Sequence, residues 1–396
     1  MPQHEQSTRP LTVLHIAQPV DGGVARVVTE LVRAQTAQRT RVLVACPPGG
    51  VLSESAASAG AEVHPWRASR APGPALPAEA RRVARLIQRT APDLVHAHSA
   101  KAGLAVRLAV RGRIPTVFQP HAWSFEALGG VTAGLALRWE RFAARWAARV
   151  VCVSEAERRR GQLSGVAARW AVIRNGVDLG RFRPADPWAG ASARERARAR
   201  LPALEGLPSQ GPLVVCVGRL CPQKGQDVLL RAWPEVTARI PGARLALVGA
   251  GPDRDALLSA APAQVLFAGA AEDTVPWYQA ADLVVLPSRW EGMALAPLEA
   301  MACGRPVVVS DVSGARESLH PAQRPACLVP PAEPPALARA LTHLLMNPQL
   351  RDRLGRQAQE HVRTTYDVRR TAAAVSELYR ELLGLPHPEC RERIRR

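Results

Sequence analysis

Short apolar runs alternate along this chain with longer stretches of helical period. Thr12-Val-Leu-His-Ile-Ala17 has the profile of a buried strand, runs into Gly22-Gly23, and is followed by a helical pattern over Val24–Ala37. Further strand-like runs are Arg41–Ala45, Asp93–Ala97, Pro115–Gln119 and Val150–Val153, with a helix over Ala102–Val110. The plan then repeats. Pro212–Val217, Arg244–Val248, Val265–Ala268, Leu283–Leu286 and Pro306–Val309 are strands, with a helix over Gln226–Ile240 after the first of them. Strands alternating with helices at this spacing predict βαβ units and parallel sheets, so the expected fold is α/β with two doubly wound, Rossmann-like halves. The stretch 184–211, rich in Ala, Arg and Pro, is expected to hold the hinge, with a short helix near 191–200. An amphipathic helix is expected over Thr371–Leu383, ahead of a basic tail, Arg391–Arg396.

Length agrees with this division: 396 residues suit two domains rather than one core. The expected parts are 1–185, 186–366 and 367–396, the last packing back toward the first. Open α/β sheets bind ligands beyond the carboxyl ends of their strands, so two such domains are expected to face a deep cleft and the function is sought in the loops that follow strands. No run of about 18 uncharged apolar residues occurs, and the polar Met1–Pro10 does not resemble a secretory signal. Seven cysteines, an odd number with no C-x-x-C pair, read as thiols of a reducing compartment, and a cytoplasmic location is expected.

Charge sharpens the picture. Of the 52 basic and 34 acidic residues, residues 1–185 hold 26 and 12, so most of the +18 excess lies in the N-terminal half. A basic face attracts phosphates, nucleic acid or an anionic membrane. A general preference for arginine would produce the same excess. Only Lys101 and Lys224 are lysines, each close to a glycine. Arginine is a planar fork and lysine a compact point charge, so two retained lysines suggest work that arginine does not do.

The chemistry-bearing residues sit after strands. In Val217-Gly-Arg-Leu-Cys-Pro-Gln-Lys-Gly-Gln226, Arg219 and Lys224 lie five residues apart beside a helix start, an arrangement suited to a phosphate. Glu291 and Glu299 flank the start of the next helix, and a carboxylate pairs well with vicinal hydroxyls. Each has a plainer reading, as surface charges or helix-end acids. His96 and His98 alternate at a strand end without an evident third ligand, and Asp253-Arg-Asp255 stands at a helix start where acids favour the dipole, so no metal is expected. Over 132–150, Leu135, Trp139, Phe142 and Trp146 form one stripe and Arg138, Arg141, Arg145 and Arg149 another, which suits either an anionic membrane or core packing with snorkelling arginines.

Taken together, Gly22-Gly23, His121, the Arg219…Lys224 loop and the paired glutamates resemble the retaining GT-B glycosyltransferases of family 4. The likeness runs from Leu11 to about Leu383 and is carried most specifically by ADLVVLPSRWEGMALAPLEAMACGRPVVV, residues 281–309, and by Val172-Ile-Arg-Asn-Gly-Val-Asp178. Val95-His-Ala-His-Ser-Ala-Lys-Ala-Gly103 is similar to members that build cell-surface polysaccharides. The resemblance implies transfer of a sugar from a nucleoside diphosphate to a hydroxyl of a saccharide or lipid-linked acceptor, with retention and without metal or other cofactor. It implies Arg219 and Lys224 on the donor diphosphate, Glu299 on the ribose, Glu291 at the donor sugar, and the amides of Met293, Ala294 and Leu295 on sugar and phosphate. It places Gly22 and Gly23 at the β-phosphate, His121 on the donor sugar, and Lys101 and Asn175 on the acceptor side. Many relatives carry Phe-Gly where this chain has Met293-Ala294. The implied setting is the cytoplasm, with peripheral contact at the inner membrane face and no nucleic-acid partner. The alternatives are an epimerase or phosphorylase on the same architecture, or a basic nucleic-acid-binding protein, although no known nucleic-acid module is present.

Overall fold

The computed structural model describes residues 9–185, 190–204 and 211–386; the expected basic tail, Cys390 and part of the expected hinge lie outside them. The chain forms two compact units. The first runs to Val153, takes in Arg158–Ile173 and resumes at Thr371; the second holds Ser154–Glu157 and Arg174–Arg370. The expected break at 185 therefore lies twelve residues earlier, because the segment after Ile173 is bonded into the second unit through Val177, which pairs with Asp367.

The first unit is built on strands β1 (Thr12–Ala17), β2 (Arg41–Cys46), β3 (Glu62–Pro65), β4 (Leu94–His98), β5 (Thr116–Gln119), β6 (Arg149–Cys152) and β7 (Trp170–Val172). They form one parallel sheet in the order β3-β2-β1-β4-β5-β6-β7. The second carries β8 (Leu213–Val217), β9 (Arg244–Val248), β10 (Val265–Gly269), β11 (Leu283–Leu286), β12 (Val307–Ser310) and β13 (Leu328–Val329), also parallel, in the order β10-β9-β8-β11-β12-β13. Both are doubly wound sheets, and their order reverses between β1 and β4 and between β8 and β11. Ligands bind at such switch points because the loops diverge there and leave a crevice.

Burial explains the sequence pattern. Every residue of β1, β4, β8 and β11 is buried, since helices cover both faces of the sheet, and so these strands read as continuous apolar runs rather than alternating ones. The polar exceptions inside them are Thr12, 1% exposed, and His15, His96 and His98, all 0% exposed. The six described cysteines are buried and free, and burial pushes the Cys46 thiol up to about 11.

The helix expected over 132–150 is shorter. It spans Gly130–Ala143, tightens into a 3-10 turn at Ala144–Trp146, and yields to β6 at Arg149. The Ala148 amide donates to the Thr116 carbonyl, which draws the chain into the sheet. Glu140 anchors the helix from within: its carboxylate meets Arg107 at 2.8 Å, both side chains are almost wholly buried, and the guanidinium lies 3.9 Å from the centroid of the Phe118 ring. Ala143 and Ala144 share that inner face, whereas Val131, Leu135 and Phe142 are exposed. The stripe named from the sequence is therefore not core packing along its whole length.

Candidate functional site

In the second unit the loops after β8 and β11 are bonded to one another. Gly225 adopts φ +66°, and a Cβ there would stand 2.1 Å from the Pro287 carbonyl oxygen, so only glycine allows this approach. The Arg289 amide donates to the Gln223 carbonyl at 2.8 Å, Gln223 Nε2 donates to the Trp290 carbonyl at 3.1 Å, and Arg289 forms two hydrogen bonds with Asp227 at 2.7 and 2.6 Å. Hydrogen bonding from Arg289 holds the Asp227 carboxyl below its ordinary range. The consequence is that Lys224, in a 3-10 turn just before the Gln226–Arg239 helix, reaches Glu291: Nζ to Oε1 is 2.5 Å, and Ser288 Oγ donates to the same oxygen at 2.8 Å. Arg219, half-buried at the end of β8, makes no hydrogen bond or ion pair through its guanidinium among the described residues. The loop thus presents one paired cation and one uncommitted one, both beside helix-terminal amides.

Glu299 lies inside the Leu295–Ala302 helix, 2% exposed, and accepts from the Tyr278 hydroxyl at 2.7 Å. Ala294 caps that helix at φ −69°, an ordinary angle for alanine, so the chain does without glycine at this point. Three groups hold the loop before it. Asn175 Nδ2 donates to the Met293 carbonyl at 2.7 Å, Ser154 Oγ donates to the Gly292 carbonyl at 2.9 Å, and Gly314, at φ +75°, lies so close that its Cβ would fall 2.1 Å from that same oxygen. Asn175, expected on the acceptor side, is 4% exposed and shapes the Met293-Ala294-Leu295 loop instead. Ser154, Tyr278, Ser288 and Gly314 were not singled out from the sequence. Each acts through a contact distant along the chain, except Ser288, three residues before Glu291.

In the first unit, Gly22 begins the Gly22–Ala37 helix at φ +77°, with open space where a Cβ would stand; the glycine is needed for its angle rather than for room. His121 follows β5 with φ +60°, a left-handed conformation that histidine tolerates better than branched residues do. Lys101 corrects its expected acceptor role. It is buried, its ammonium pairs with Glu79 at 2.6 Å, and it also donates to the Ala71 carbonyl and Ser69 Oγ. These bonds tie the loop after β3 to the helix after β4, and removing either ion would leave the other unpaired in a dry site.

The statement that His96 and His98 lack a third partner is also corrected. In the β1–β4 register His15 stands opposite His96, and the three imidazoles come together with candidate ligand nitrogens within 4.8 Å of one another. One pair, His15 Nδ1 and His98 Nε2, is 2.9 Å apart, a hydrogen-bond separation. Two nitrogens on one zinc at about 2.0–2.1 Å each would stand roughly 3.3 Å apart. Burial lowers the pKa of all four neighbouring histidines, His15 to about 4, His121 to about 3, and His96 and His98 well below the usual value. All are neutral near pH 7.

With this geometry in place, residues 21–181 match Glycosyltransferase Family 4 and residues 211–347 match Glycosyl transferases group 1. The chain belongs to glycosyltransferase family 4. The family match takes in both glycine-rich and histidine loops of the first unit and, in the second, Arg219, Lys224 and both glutamates. Among curated proteins, the D-inositol 3-phosphate glycosyltransferase of Saccharomonospora viridis is 34% identical over 229 residues, covering 54% of this chain and 50% of that protein. The GDP-mannose-dependent alpha-(1-6)-phosphatidylinositol monomannoside mannosyltransferase of Mycolicibacterium smegmatis is 34% identical over 228 residues, covering 54% and 57%. The aligned part spans about half the length of these relatives. Among solved structures, Anabaena HepE in complex with UDP and glucose superposes with a TM-score of 0.79 at 23% identity, covering 93% of this chain and 99% of that one. That likeness supports the family's GT-B fold, with its two Rossmann-like domains.

Proposed function

We propose that this family 4 chain transfers a sugar from a nucleoside diphosphate sugar to a hydroxyl acceptor, retaining the anomeric configuration and using no metal. The observation that carries the reading is the Lys224–Glu291 pair with the uncommitted Arg219, set where the loops after β8 and β11 meet. Charge builds on the leaving diphosphate in such a transfer, and preorganised cations and helix-terminal amides stabilise it without reorganising. Glu299, buried and oriented by Tyr278, would take the ribose hydroxyls, and Glu291 the donor sugar. Gly22 and Gly23 would accommodate the β-phosphate. His121, neutral at physiological pH, would hydrogen-bond a sugar hydroxyl rather than act as a charged acid. Neither carboxylate is cast as a nucleophile: Glu291 is engaged by Lys224 and Ser288, and Glu299 by Tyr278.

Sugar nucleotides that differ in their base set the test. UDP-glucose, GDP-mannose and ADP-glucose are each added to the full chain, with and without EDTA, and the melting temperature is followed. One of them is expected to raise it by several degrees, unaffected by EDTA, because a ligand stabilises the state it binds. No shift with any of the three, or one that depends on a divalent ion, would contradict the proposal. Product analysis separates the alternatives, since an epimerase needs no acceptor and a phosphorylase needs free phosphate.

The acceptor class we propose is a glycolipid or saccharide at an anionic membrane surface. No helix among the described residues is long and apolar enough to cross a membrane. The Gly130–Ala143 helix, however, leaves Val131 81%, Leu135 59% and Phe142 47% exposed, with the Arg145 guanidinium 3.7 Å from the centroid of the Phe142 ring. Apolar side chains bordered by arginines suit a negatively charged interface. Vesicles containing phosphatidylglycerol are expected to sediment the protein at low salt and neutral phosphatidylcholine vesicles to leave it in solution; equal behaviour would remove the membrane from the proposal.

A further inference from the structure

We propose that Gln35, His15 and His98 form a hydrogen-bonded chain that holds His121 as its Nε2–H tautomer, leaving Nδ1 as a bare acceptor for a substrate hydroxyl. The first three are then positioning residues. The inference rests on the reading of His121 as a donor-sugar contact, but its central claim concerns where one proton sits, and that can be measured without turnover.

The contacts run in one line. Gln35 Oε1 is 2.9 Å from His15 Nε2, His15 Nδ1 is 2.9 Å from His98 Nε2, and His98 Nδ1 is 3.2 Å from His121 Nε2. A neutral imidazole carries one proton, so one ring nitrogen donates and the other accepts. The amide oxygen of Gln35 can only accept, which obliges His15 to carry its proton on Nε2. His15 Nδ1 must then accept, so His98 Nε2 is the donor. His98 Nδ1 accepts in turn, and His121 Nε2 donates. One terminal amide therefore dictates the tautomer of a ring three contacts away.

Two features make the constraint effective. Gln35 is 2% exposed and His15 and His98 are fully buried, so water does not compete for these bonds. His96 is held apart from the line, because its Nδ1 pairs with the Tyr379 hydroxyl at 2.5 Å while its ring meets His98 only through a tilted contact, 3.9 Å between centroids. The register explains how the chain arises: β1 and β4 are neighbours at the switch point, Ala17 stands opposite His98, and His121 follows the adjoining β5. The Gly22–Ala37 helix packs on that same sheet and brings Gln35 to the far end.

The measurement is a long-range proton–nitrogen correlation spectrum of the full-length chain labelled with 15N-histidine, assigned by single His→Gln variants. His15, His98 and His121 are each expected to show the Nε2–H pattern at pH 7.5. Protonation of His121 at Nδ1, or comparable amounts of both forms, would overturn the proposal, as would stoichiometric zinc displacing the ring protons of His15 and His98. In Gln35→Met the His121 signal is expected to become a mixture, and kcat with UDP-glucose or GDP-mannose, whichever the wild type turns over, to fall by roughly tenfold with KM for that donor little changed. A Gln35→Met chain that loses stability yet keeps the Nε2–H pattern at His121 would show a merely structural role and count against the chain. If the wild type turns over no sugar nucleotide, the functional reading fails while the tautomer result still decides this inference.

Discussion

Sugar transfer by a Lys224→Ala variant is expected to fall by about a hundredfold to a thousandfold, the range seen when one preorganised group facing a developing negative charge is removed. The structure gives two reasons for so large an effect at one position. Lys224 is held rather than floating: the turn at Gly225 and the bonds between Gln223, Arg289 and Trp290 fix the loop that carries it. Its partner Glu291 is 7% exposed and depends on Lys224 and Ser288 for its hydrogen bonds, so removing the ammonium disturbs the proposed sugar contact as well as the phosphate contact. The fold is expected to survive, since Lys224 keeps about a fifth of its side-chain surface open and lies outside the buried core. The assay is initial-rate transfer with the donor that stabilises the wild type, alongside the melting temperature of each protein. Full activity in a folded Lys224→Ala chain would dismantle the site assignment. A Glu291→Gln variant, which keeps shape and loses charge, is the informative partner for a double-mutant cycle because the two side chains touch.

Much of this arrangement was legible in the sequence, and the parts that were not share a cause. The strands Thr12–Ala17, Arg244–Val248 and Leu283–Leu286 appear with the bounds read from their apolar runs, because a strand covered on both faces announces itself without any partner. The strands Glu62–Pro65, Trp170–Val172 and Leu328–Val329 went unread. All lie at or near the sheet edges, are two to four residues long and only partly buried, and the pattern has little to show there. Among site residues, Arg219, Lys224, Glu291 and Glu299 were visible because each belongs to a local strand–loop–helix unit. Lys101 was noticed for its rarity and misassigned, since its carboxylate partner is 22 residues away and only the packing of the loop after β3 reveals it. His15 escaped notice as the companion of His96 and His98 for the same reason. It lies some 80 residues upstream, and the pairing of β1 with β4 is what makes them neighbours. Local chemistry is written in the sequence, whereas partnership across strands follows from register.

That buried histidine group has a consequence for the whole first unit: the protein is expected to lose stability steeply as pH falls from about 6.5 toward 4. His15, His96 and His98 are fully buried, and desolvation lowers the folded-state pKa of each below its ordinary value, His15 to about 4. In the unfolded chain the same rings titrate near 6.5. Above that value neither state carries the protons and the stability is fully present. Below it the unfolded chain takes up protons that the folded chain refuses, so stability falls with pH until the folded-state values are reached. Each ring contributes up to about 1.4 kcal/mol per pH unit, and three together up to about 4 kcal/mol per unit. Against a typical total of about 5–15 kcal/mol, such a slope consumes the margin within a few pH units. Urea unfolding followed by circular dichroism at pH 7.5, 6, 5 and 4.5 measures it directly. A midpoint that stays level across that range would mean the rings are not held neutral. Replacing His15 by glutamine removes one proton-uptake site and keeps an amide in the line, and it is expected to flatten the slope by up to about 1.4 kcal/mol per pH unit even if it lowers the stability at pH 7.5. A slope unchanged in that variant would assign the acid sensitivity to other groups. The same burial that lets His15 and His98 align their protons toward His121 therefore makes the first unit depend on these rings, and on His96 beside them, staying uncharged.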